Sequence, residues 1–341
     1  MELNKRRVIF HRFFNIYNGG TSGGQIKVRD YFEHLKNSES FTPKVFFNPE
    51  TTWFDNPGNV WTSYRNSKDE IETWELKKND ILLLAGIDWM ILNEKQKLNP
   101  PIPVINIAHP RHARLQDKRN EFLKYPAIRI TKSSLSKSIL ENYGVNGPVF
   151  LIPDAIDPKD IPAPNENPEN DILIVGLKNP ELAQKIYKSL LFLNNFRKKK
   201  LVIKVQLPPK LPTRANFLNL VNNSKTIVFL PLEEKFGSEG FYLPALEAMF
   251  MKKLVICPFA IGNIDFCVDG KTCIMPKYNF LSILLSIKKA VNMTGYEREG
   301  LITNASEITK NHLLENEQKA LINLLNQVDT IWNDKTLFNK T

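Results

Sequence analysis

Short apolar segments alternate with longer segments of helical period along most of the chain. Ten segments rich in Val, Ile and Leu are predicted strands: residues 7–10, 44–47, 80–84, 104–107, 127–131, 149–152, 171–175, 201–205, 226–230 and 254–257. Residues 26–36, 181–197 and 243–252 carry apolar positions at helical spacing. This alternation is typical of parallel sheets built from βαβ units, and consecutive apolar residues within the strands indicate sheets that are covered on both faces.

A proline-rich segment divides the pattern into two halves. Residues 153–170 hold several Pro, Asn and Glu residues and little that is apolar after Ile161, which predicts an interdomain linker. We therefore predict an N-terminal lobe at 1–153, a linker at 154–170, a C-terminal lobe at 171–320, and a C-terminal helix at 321–341 that could return to the first lobe. The predicted fold class is α/β, with two doubly wound, Rossmann-like lobes facing a central cleft.

The composition indicates a folded protein, and the net charge limits the classes of partner that it would bind. Apolar residues make up 42% of the 341-residue chain and charged residues 24%, which is ordinary globular usage. The net charge of +10 favours an anionic partner: nucleic acid, a phosphorylated small molecule or an acidic membrane face. No RNA-binding aromatic strand or helix-turn-helix signature supports nucleic acid. The sequence thus favours the other two classes.

Neither a leader nor a metal cluster is predicted. The N-terminus lacks the apolar stretch of a signal peptide, and the longest apolar run, 81–92, is interrupted by Gly86 and Asp88. We therefore expect a cytoplasmic location, with peripheral contact at the inner face of the membrane left open. Cys257, Cys267 and Cys273 have no partner cluster at zinc spacing and are expected to be reduced structural thiols.

A glycine-rich loop follows the first predicted strand. It contains Gly19, Gly20, Gly23 and Gly24 and precedes a helical segment, so its amides and the helix N-terminus suit an anion or a polar ligand. The spacing matches neither a dinucleotide-binding fingerprint nor a phosphate-binding loop with its lysine. The alternative interpretation is a tight turn that Thr21 or Ser22 caps.

Two glutamates flank the predicted start of a helix in the second half. Residues 239–249 read E-G-F-Y-L-P-A-L-E-A-M, and Pro244 suits the first helical turn because its missing amide hydrogen is not needed there. Glu239 then precedes the helix and Glu247 lies one turn inside it. The free amides between them could hold a diphosphate, and a carboxylate could accept two sugar hydroxyls. Stabilisation of the helix dipole alone would also explain a glutamate at this position.

The whole string resembles the Glu-x7-Glu motif of retaining glycosyltransferases of the GT-B fold, the glycosyl transferases group 1 type, often met as E-G-F-G-L-P-x-L-E-A-M. The following segments 254–258 and 268–272 resemble the strand and turn that this family places next. In the first half, segments 131–134, 143–144 and 152–157 are similar to its T-x-S, Y-G and I-P-N-G-I-D succession, with Asp154-Ala155 in place of Asn-Gly. The resemblance touches both lobes.

This resemblance implies a hexose transfer from a nucleotide-sugar donor to a glycan, a lipid-linked acceptor or another acceptor, with retention, without a metal and without a cofactor. Polysaccharide biosynthesis is the process that it suggests. The resemblance assigns Glu247 to the donor ribose, Glu239 to the donor sugar near its reacting carbon, and His109 to the same sugar. Further donor-binding residues that it implies are Gly240, Phe241, Tyr242 and Leu243, together with Gly19, Gly20, Gly23 and Gly24 from the other lobe.

The sequence departs from this family at the cations that would stabilise the leaving diphosphate. Most relatives carry an Arg directly after the first strand of the second lobe and a Lys soon after it, whereas this chain reads Val175-Gly176-Leu177-Lys178. Lys178 is the predicted substitute, with Lys185 or Lys204 as weaker candidates. The departure keeps open a non-catalytic nucleotide- or sugar-binding relative of the same fold.

Two basic clusters have alternative interpretations. His112 with Arg111 and Arg114 could receive an anionic acceptor or form a solvated face. The simplest role of the run 197–200 is to place cations at a helix C-terminus, where they oppose the helix dipole. The alternative is contact with phosphate or a membrane.

Overall fold

The computed structural model describes residues 5–13, 23–51 and 59–338 of the chain. These residues form two compact units. The first unit contains the described residues up to Lys132, together with Ser136–Ile152 and the residues from Glu317 onward. The second contains Ser133–Leu135 and Pro153–Asn316.

Strands and helices alternate in both halves of the chain. The first half contains β1 (Arg6–Arg12), α1 (Gly23–Lys36), β2 (Phe41–Phe47), β3 (Ile81–Ala85), α2 (Glu94–Leu98), β4 (Val104–Ile107), β5 (Ile128–Thr131), α3 (Ser134–Tyr143) and β6 (Val149–Leu151). The second half contains β7 (Asn170–Val175), α4 (Pro180–Asn194), β8 (Ile203–Gln206), α5 (Arg214–Asn222), β9 (Ser224–Phe229), α6 (Leu243–Phe250), β10 (Leu254–Ile256), α7 (Phe280–Asn292), α8 (Gly295–Thr309), α9 (Leu314–Asn326) and α10 (Val328–Asn333). Each predicted strand is present, which confirms the α/β class.

Within the described residues, the first unit has a six-stranded parallel sheet in the order β2-β1-β3-β4-β5-β6. Alternate residues of β1 are buried on opposite faces. Val8 and Phe10 pack with α1, while Ile9 packs with Trp89 on the other face. The sheet is therefore covered on both sides, as its consecutive apolar strand residues predict.

The C-terminal helices contribute to the core of the first unit. Leu321, Leu324 and Leu325 of α9 and Val328 of α10 are buried in the cluster that contains β1 and α1. Residues 317–338 therefore complete this unit, although they follow the second unit in the chain.

Within the described part of the chain, the second unit has a four-stranded parallel sheet in the order β10-β9-β7-β8. Helices α4 and α7 cover one face through Ile186, Ile283 and Ile287. Helices α5 and α6 cover the other face through residues that include Leu218 and Leu246.

The proline-rich segment 154–170 packs on the second unit. Ile156 and Ile161 are buried in the cluster that contains α5 and α6. The carbonyl of Asn165 accepts a hydrogen bond from Lys253 Nζ at 2.9 Å, and its amide donates to Asn222 Oδ1 at 2.9 Å. Apolar burial and polar contacts thus hold this segment along its length.

The three cysteines are free and buried in the second unit. Burial raises the pKa of the Cys267 thiol well above its ordinary value, and its neighbours Cys257 and Cys273 reinforce the shift. These thiols therefore behave as apolar core groups.

Candidate functional site

The strand order of the second unit has a reversal between β7 and β9. The chain moves from β7 outward to β8, then returns past β7 to β9 and continues outward to β10. The connections that leave β7 and β9 therefore diverge at their carboxyl ends, and open α/β sheets bind ligands at such a reversal. Residues 176–179 follow β7, and residues 230–242 follow β9.

The loop after β9 is closed by its own glutamate. The backbone amide of Leu232 donates a hydrogen bond to Glu239 Oε1 at 3.2 Å. Between them, Gly237 has a φ of 146° and a ψ of −162°, a conformation that side chains disfavour. A Cβ at Gly237 would also lie 2.7 Å from Leu232 Cδ2. The loop thus presents Glu239, which is half-buried, directly before α6.

The same loop is tied to the segment after β7. Asn179 Nδ2 donates to Glu233 Oε1 at 3.0 Å, and Lys235 Nζ lies 2.8 Å from Glu233 Oε2. The phenol of Tyr278 donates to the carbonyl of Pro231 at 2.6 Å. Burial raises the pKa of this phenol above its ordinary value, so it stays a donor at physiological pH. These contacts hold the segments that follow β7 and β9 in place beside the strand reversal.

The peptide between Gly240 and Phe241 lies against Gly262. A Cβ at Gly262 would lie 2.5 Å from Phe241 N and 2.7 Å from Gly240 C, so only glycine permits this approach. The amide of Tyr242 donates to the carbonyl of Gly262 at 3.0 Å. The Phe241 ring packs against Phe266 with centroids 5.2 Å apart. This part of the backbone is therefore fixed from two directions.

Of the predicted donor-binding amides, that of Tyr242 is thus engaged with Gly262. The amides of Gly240 and Phe241 make no backbone hydrogen bond with any residue in the described ranges. Helix α6 begins at Leu243, and Pro244 occupies its first turn as predicted. The Tyr242 ring is buried edge-on against Phe229 at 5.7 Å, which fixes the entry of the chain into the helix.

Glu247 is buried one turn inside α6, with 5% of its side chain exposed. Arg214, the first residue of α5, donates from Nη2 to Glu247 Oε1 at 2.5 Å. Arg214 Nη1 also lies 3.7 Å from Asp160 Oδ2, and 43% of the arginine side chain remains exposed. The buried carboxylate is thus paired with a cation that solvent can reach.

Lys178 lies in the loop between β7 and α4 and is exposed. Among the described residues it forms no ion pair. The structure therefore places this cation at the carboxyl end of β7, beside the reversal that contains Glu239. Its assignment to the leaving phosphate stays a prediction.

His109 lies in the first unit, two residues after the end of β4. Its Nδ1 accepts a hydrogen bond from the amide of Arg111 at 3.2 Å, and its own amide donates to His112 Nδ1 at 3.3 Å. Burial, and then the charge of Arg111, holds the pKa of His109 well below its ordinary value. The ring is therefore neutral at physiological pH and carries its proton on Nε2. Its contact with a donor sugar stays a prediction.

The glycine-rich loop falls partly in the described ranges. Gly19 and Gly20 lie outside the described residues. Gly23 and Gly24 are the first residues of α1, and both are exposed. A Cβ at Gly23 would meet no atom within 4 Å, so packing within the described chain does not require glycine there.

A buried polar cluster precedes this loop and was not predicted from the sequence. Arg12 Nη1 lies 2.5 Å from Asp88 Oδ2, and Asp88 Oδ1 accepts from the amide of Phe13 at 3.0 Å. His11 Nδ1 lies 2.6 Å from the carbonyl of Asp88. Asp88 thus joins the carboxyl ends of β1 and β3, where the strand order of the first sheet also reverses.

Two further groups at the second-unit site were also missed. Gly262 carries no local signal because its partner is a backbone segment 21 residues earlier in the chain. Arg214 follows Thr213, whose hydroxyl accepts from the amide of Asn216 at 3.1 Å and caps α5. That capping pattern is visible in the sequence, but the reach of Arg214 to Glu247 is not.

No family model matches the sequence, and no curated protein matches it. Solved structures do resemble it over nearly the whole chain. Sucrose-phosphate synthase from Thermosynechococcus elongatus has a TM-score of 0.63 and 14% identity, and the match covers 96% of this chain and 100% of that one. A glycosyltransferase from Rickettsia africae has a TM-score of 0.62 and 15% identity, covering 97% and 100%. HepE from Anabaena, solved in complex with UDP-glucose, has a TM-score of 0.62 and 12% identity, covering 94% and 99%.

The chain therefore has the GT-B fold, which confirms the predicted fold class. Helices that could span a membrane are absent from residues 5–13, 23–51 and 59–338.

Proposed function

We propose that this protein is a glycosyltransferase that moves a hexose from a nucleotide-activated donor to a glycan, a lipid-linked acceptor or another acceptor. The observation that carries the proposal is the pair Glu239 and Glu247 around the start of α6, at the strand reversal of the second unit. The GT-B fold supports it, because one similar structure is named as a glycosyltransferase and another, HepE, was solved in complex with UDP-glucose.

Donor binding is proposed at the N-terminus of α6. The amides of Gly240 and Phe241 and the positive end of the helix dipole favour a diphosphate. Glu247 accepts hydrogen bonds from the two ribose hydroxyls, since a carboxylate offers several acceptor positions. Arg214 pairs with that carboxylate and orients it, while the exposed face of the arginine stays in contact with solvent.

The transfer step breaks the bond between the anomeric carbon and the phosphate oxygen, and the electron pair leaves with the nucleoside diphosphate. Lys178 and the α6 amides stabilise the negative charge that develops there. Glu239 contacts the sugar beside the reacting carbon. With retention, the acceptor oxygen bonds to the face that the phosphate leaves, and its proton passes to the departing phosphate oxygen. We propose that this chemistry needs neither a metal nor a cofactor.

The second candidate function is a nucleotide- or sugar-binding protein without turnover. The sequence around Lys178 favours it, because one exposed lysine stands where an Arg and a Lys are usual in the resembled family. This candidate shares the donor-binding step and lacks the transfer step, so binding and turnover must be measured separately.

The test measures donor hydrolysis and transfer by the full chain across nucleotide sugars and an acceptor panel. We expect Glu239→Gln to remove most turnover, by about 100-fold or more, while the fold and nucleotide affinity survive. Glu299→Gln on the exposed face of α8 is the matched control and should retain full turnover. Tight nucleotide binding with no turnover of any donor would favour the binding protein, and full activity in Glu239→Gln would sink the proposed role of Glu239.

A further inference from the structure

The C-terminal end of α4 exposes a cluster of large apolar side chains. The exposed fractions are 63% for Phe192, 48% for Leu193 and 75% for Phe196. The rings of Phe192 and Phe196 contact each other edge-on, with centroids 5.3 Å apart. Leu191 beside them is 39% exposed. The opposite side of α4 buries Ala183, Ile186 and Leu190, so these exposed residues form a second apolar surface that the core does not need.

A run of cations continues directly from this surface. Arg197, Lys198, Lys199 and Lys200 are all exposed. Lys200 Nζ donates to the carbonyls of Asn194 and Asn195 at 3.0 and 2.7 Å, which accounts for its role at the helix end. The helix terminus therefore explains one cation of the run and leaves three others beside the phenylalanines. We call residues 191–199 the α4 end patch.

The patch belongs to a basic segment of the sequence. Of the 46 Lys and Arg residues, ten lie within residues 182–232, a segment that contains no Asp or Glu. The remaining 36 equal the 36 Asp and Glu residues of the rest of the chain. The nearby carboxylate of Asp171 is already paired with Lys225 at 2.8 Å. Residues 182–232 are thus a strongly basic segment of the second unit.

We infer that the α4 end patch binds the surface of an anionic lipid bilayer. Exposed Phe and Leu side chains can enter the boundary between headgroups and acyl chains, while the adjacent cations attract acidic headgroups. Charge complementarity together with the exposed apolar area favours a lipid surface, because an acidic macromolecule recognised by charge alone would leave the phenylalanines without a partner.

The position of the patch separates this surface from the proposed donor site. Helix α4 begins after β7 at the carboxyl edge of the sheet and has 15 residues. At 1.5 Å per residue its far end lies about 20 Å from that edge. Membrane attachment and nucleotide binding should therefore respond to different substitutions.

The experiment is flotation of the full chain with vesicles of phosphatidylcholine alone or with 30 mol% phosphatidylglycerol. We expect binding to the anionic vesicles and much weaker binding to the neutral ones. Lys198→Gln with Lys199→Gln should weaken anionic binding about 25-fold, since each cation near such a surface contributes about five-fold. Phe192→Ala with Phe196→Ala should weaken it by at least about ten-fold.

The matched control variants remove lysine or large apolar side chains at exposed positions outside the α4 end patch. Lys77→Gln with Lys78→Gln changes the net charge equally at exposed positions of the first unit, and Leu115→Ala removes a side chain that is 80% exposed. Both controls should bind vesicles within two-fold of the wild type. All variants should keep the wild-type nucleotide affinity and thermal stability.

Insertion of the patch into the bilayer can be measured with a dye on an introduced cysteine, because the native cysteines are buried. An environment-sensitive dye on Phe196→Cys should shift to the blue with anionic vesicles, whereas the same dye on Leu115→Cys should not. The inference is overturned if the wild type does not bind anionic vesicles. It is also overturned if the lysine pair weakens binding while the phenylalanine pair does not, because that pattern denotes an acidic macromolecule recognised by charge alone.

Discussion

The contact between Gly262 and the Gly240–Phe241 peptide allows a sharp test of the site geometry. In Gly262→Ala the new Cβ would lie 2.5 Å from Phe241 N and 2.6 Å from Phe241 Cα. Ordinary contacts between such atoms are about 3.5 Å, so the segment before α6 must retreat by about 1 Å. Overpacking of this kind costs about 1–3 kcal/mol. A displacement of 1 Å in a positioning element can reduce turnover about 100-fold.

The assay compares the wild type, Gly262→Ala and Gly300→Ala by thermal unfolding and by nucleotide titration. Gly300 lies in α8, where a Cβ would meet no atom within 4 Å, so its substitution should leave both quantities unchanged or stabilise the helix slightly. We expect Gly262→Ala to lower the Tm by roughly 2–10 °C and to weaken nucleotide binding at least ten-fold. Unchanged stability and affinity in Gly262→Ala would show that this contact does not position the donor amides.

Two further predictions concern stability. Glu317 is fully buried and contacts two lysines and a histidine, so Glu317→Gln should lower the free energy of unfolding by about 3 kcal/mol, whereas exposed Glu315→Gln should change little in the same denaturant titration. Stability should also fall as the pH drops from 7 to 5. Burial lowers the pKa of His11 to about 4, which reduces stability as the pH falls, and raises the pKa of Asp88 to about 6, which increases it. These two effects on the free energy of unfolding nearly cancel. Burial lowers the pKa of His112 to about 3, so unfolding takes up a proton below pH 6.5. A Tm that is constant or rises between pH 7 and 5 would contradict this balance.

The strands were predictable because consecutive apolar residues in a doubly covered sheet leave a strong local signal. Val8–Phe10 and Ile172–Ile174 are fully buried for that reason. The segment 153–170 was harder, because its prolines and asparagines suggest a linker. Its two isoleucines and Asn165 nevertheless bind it to the second unit, and such contacts between distant parts of the chain leave no periodic pattern.

The candidate site was predictable only where local chemistry defines it. Pro244 fixes the start of α6, and that start places Glu239 and Glu247 on either side of it. The partners of this motif come from elsewhere in the chain. Arg214 reaches Glu247 from α5, and Gly262 meets the motif backbone after β10. These pairings depend on how the helices and loops pack on the sheet, which no single segment specifies.

Calorimetric titration of the full chain with UDP, GDP, ADP, CMP and dTDP tests the proposed donor site most directly. We expect the wild type to bind at least one of them. We also expect Glu247→Ala to bind that nucleotide at least about ten-fold more weakly, because the acceptor for the ribose hydroxyls is gone. Glu299→Ala, on the exposed face of α8, should bind as the wild type does. A wild type that binds none of the five, or a Glu247→Ala variant with undiminished affinity, would contradict the assignment of this site to a nucleotide-sugar donor.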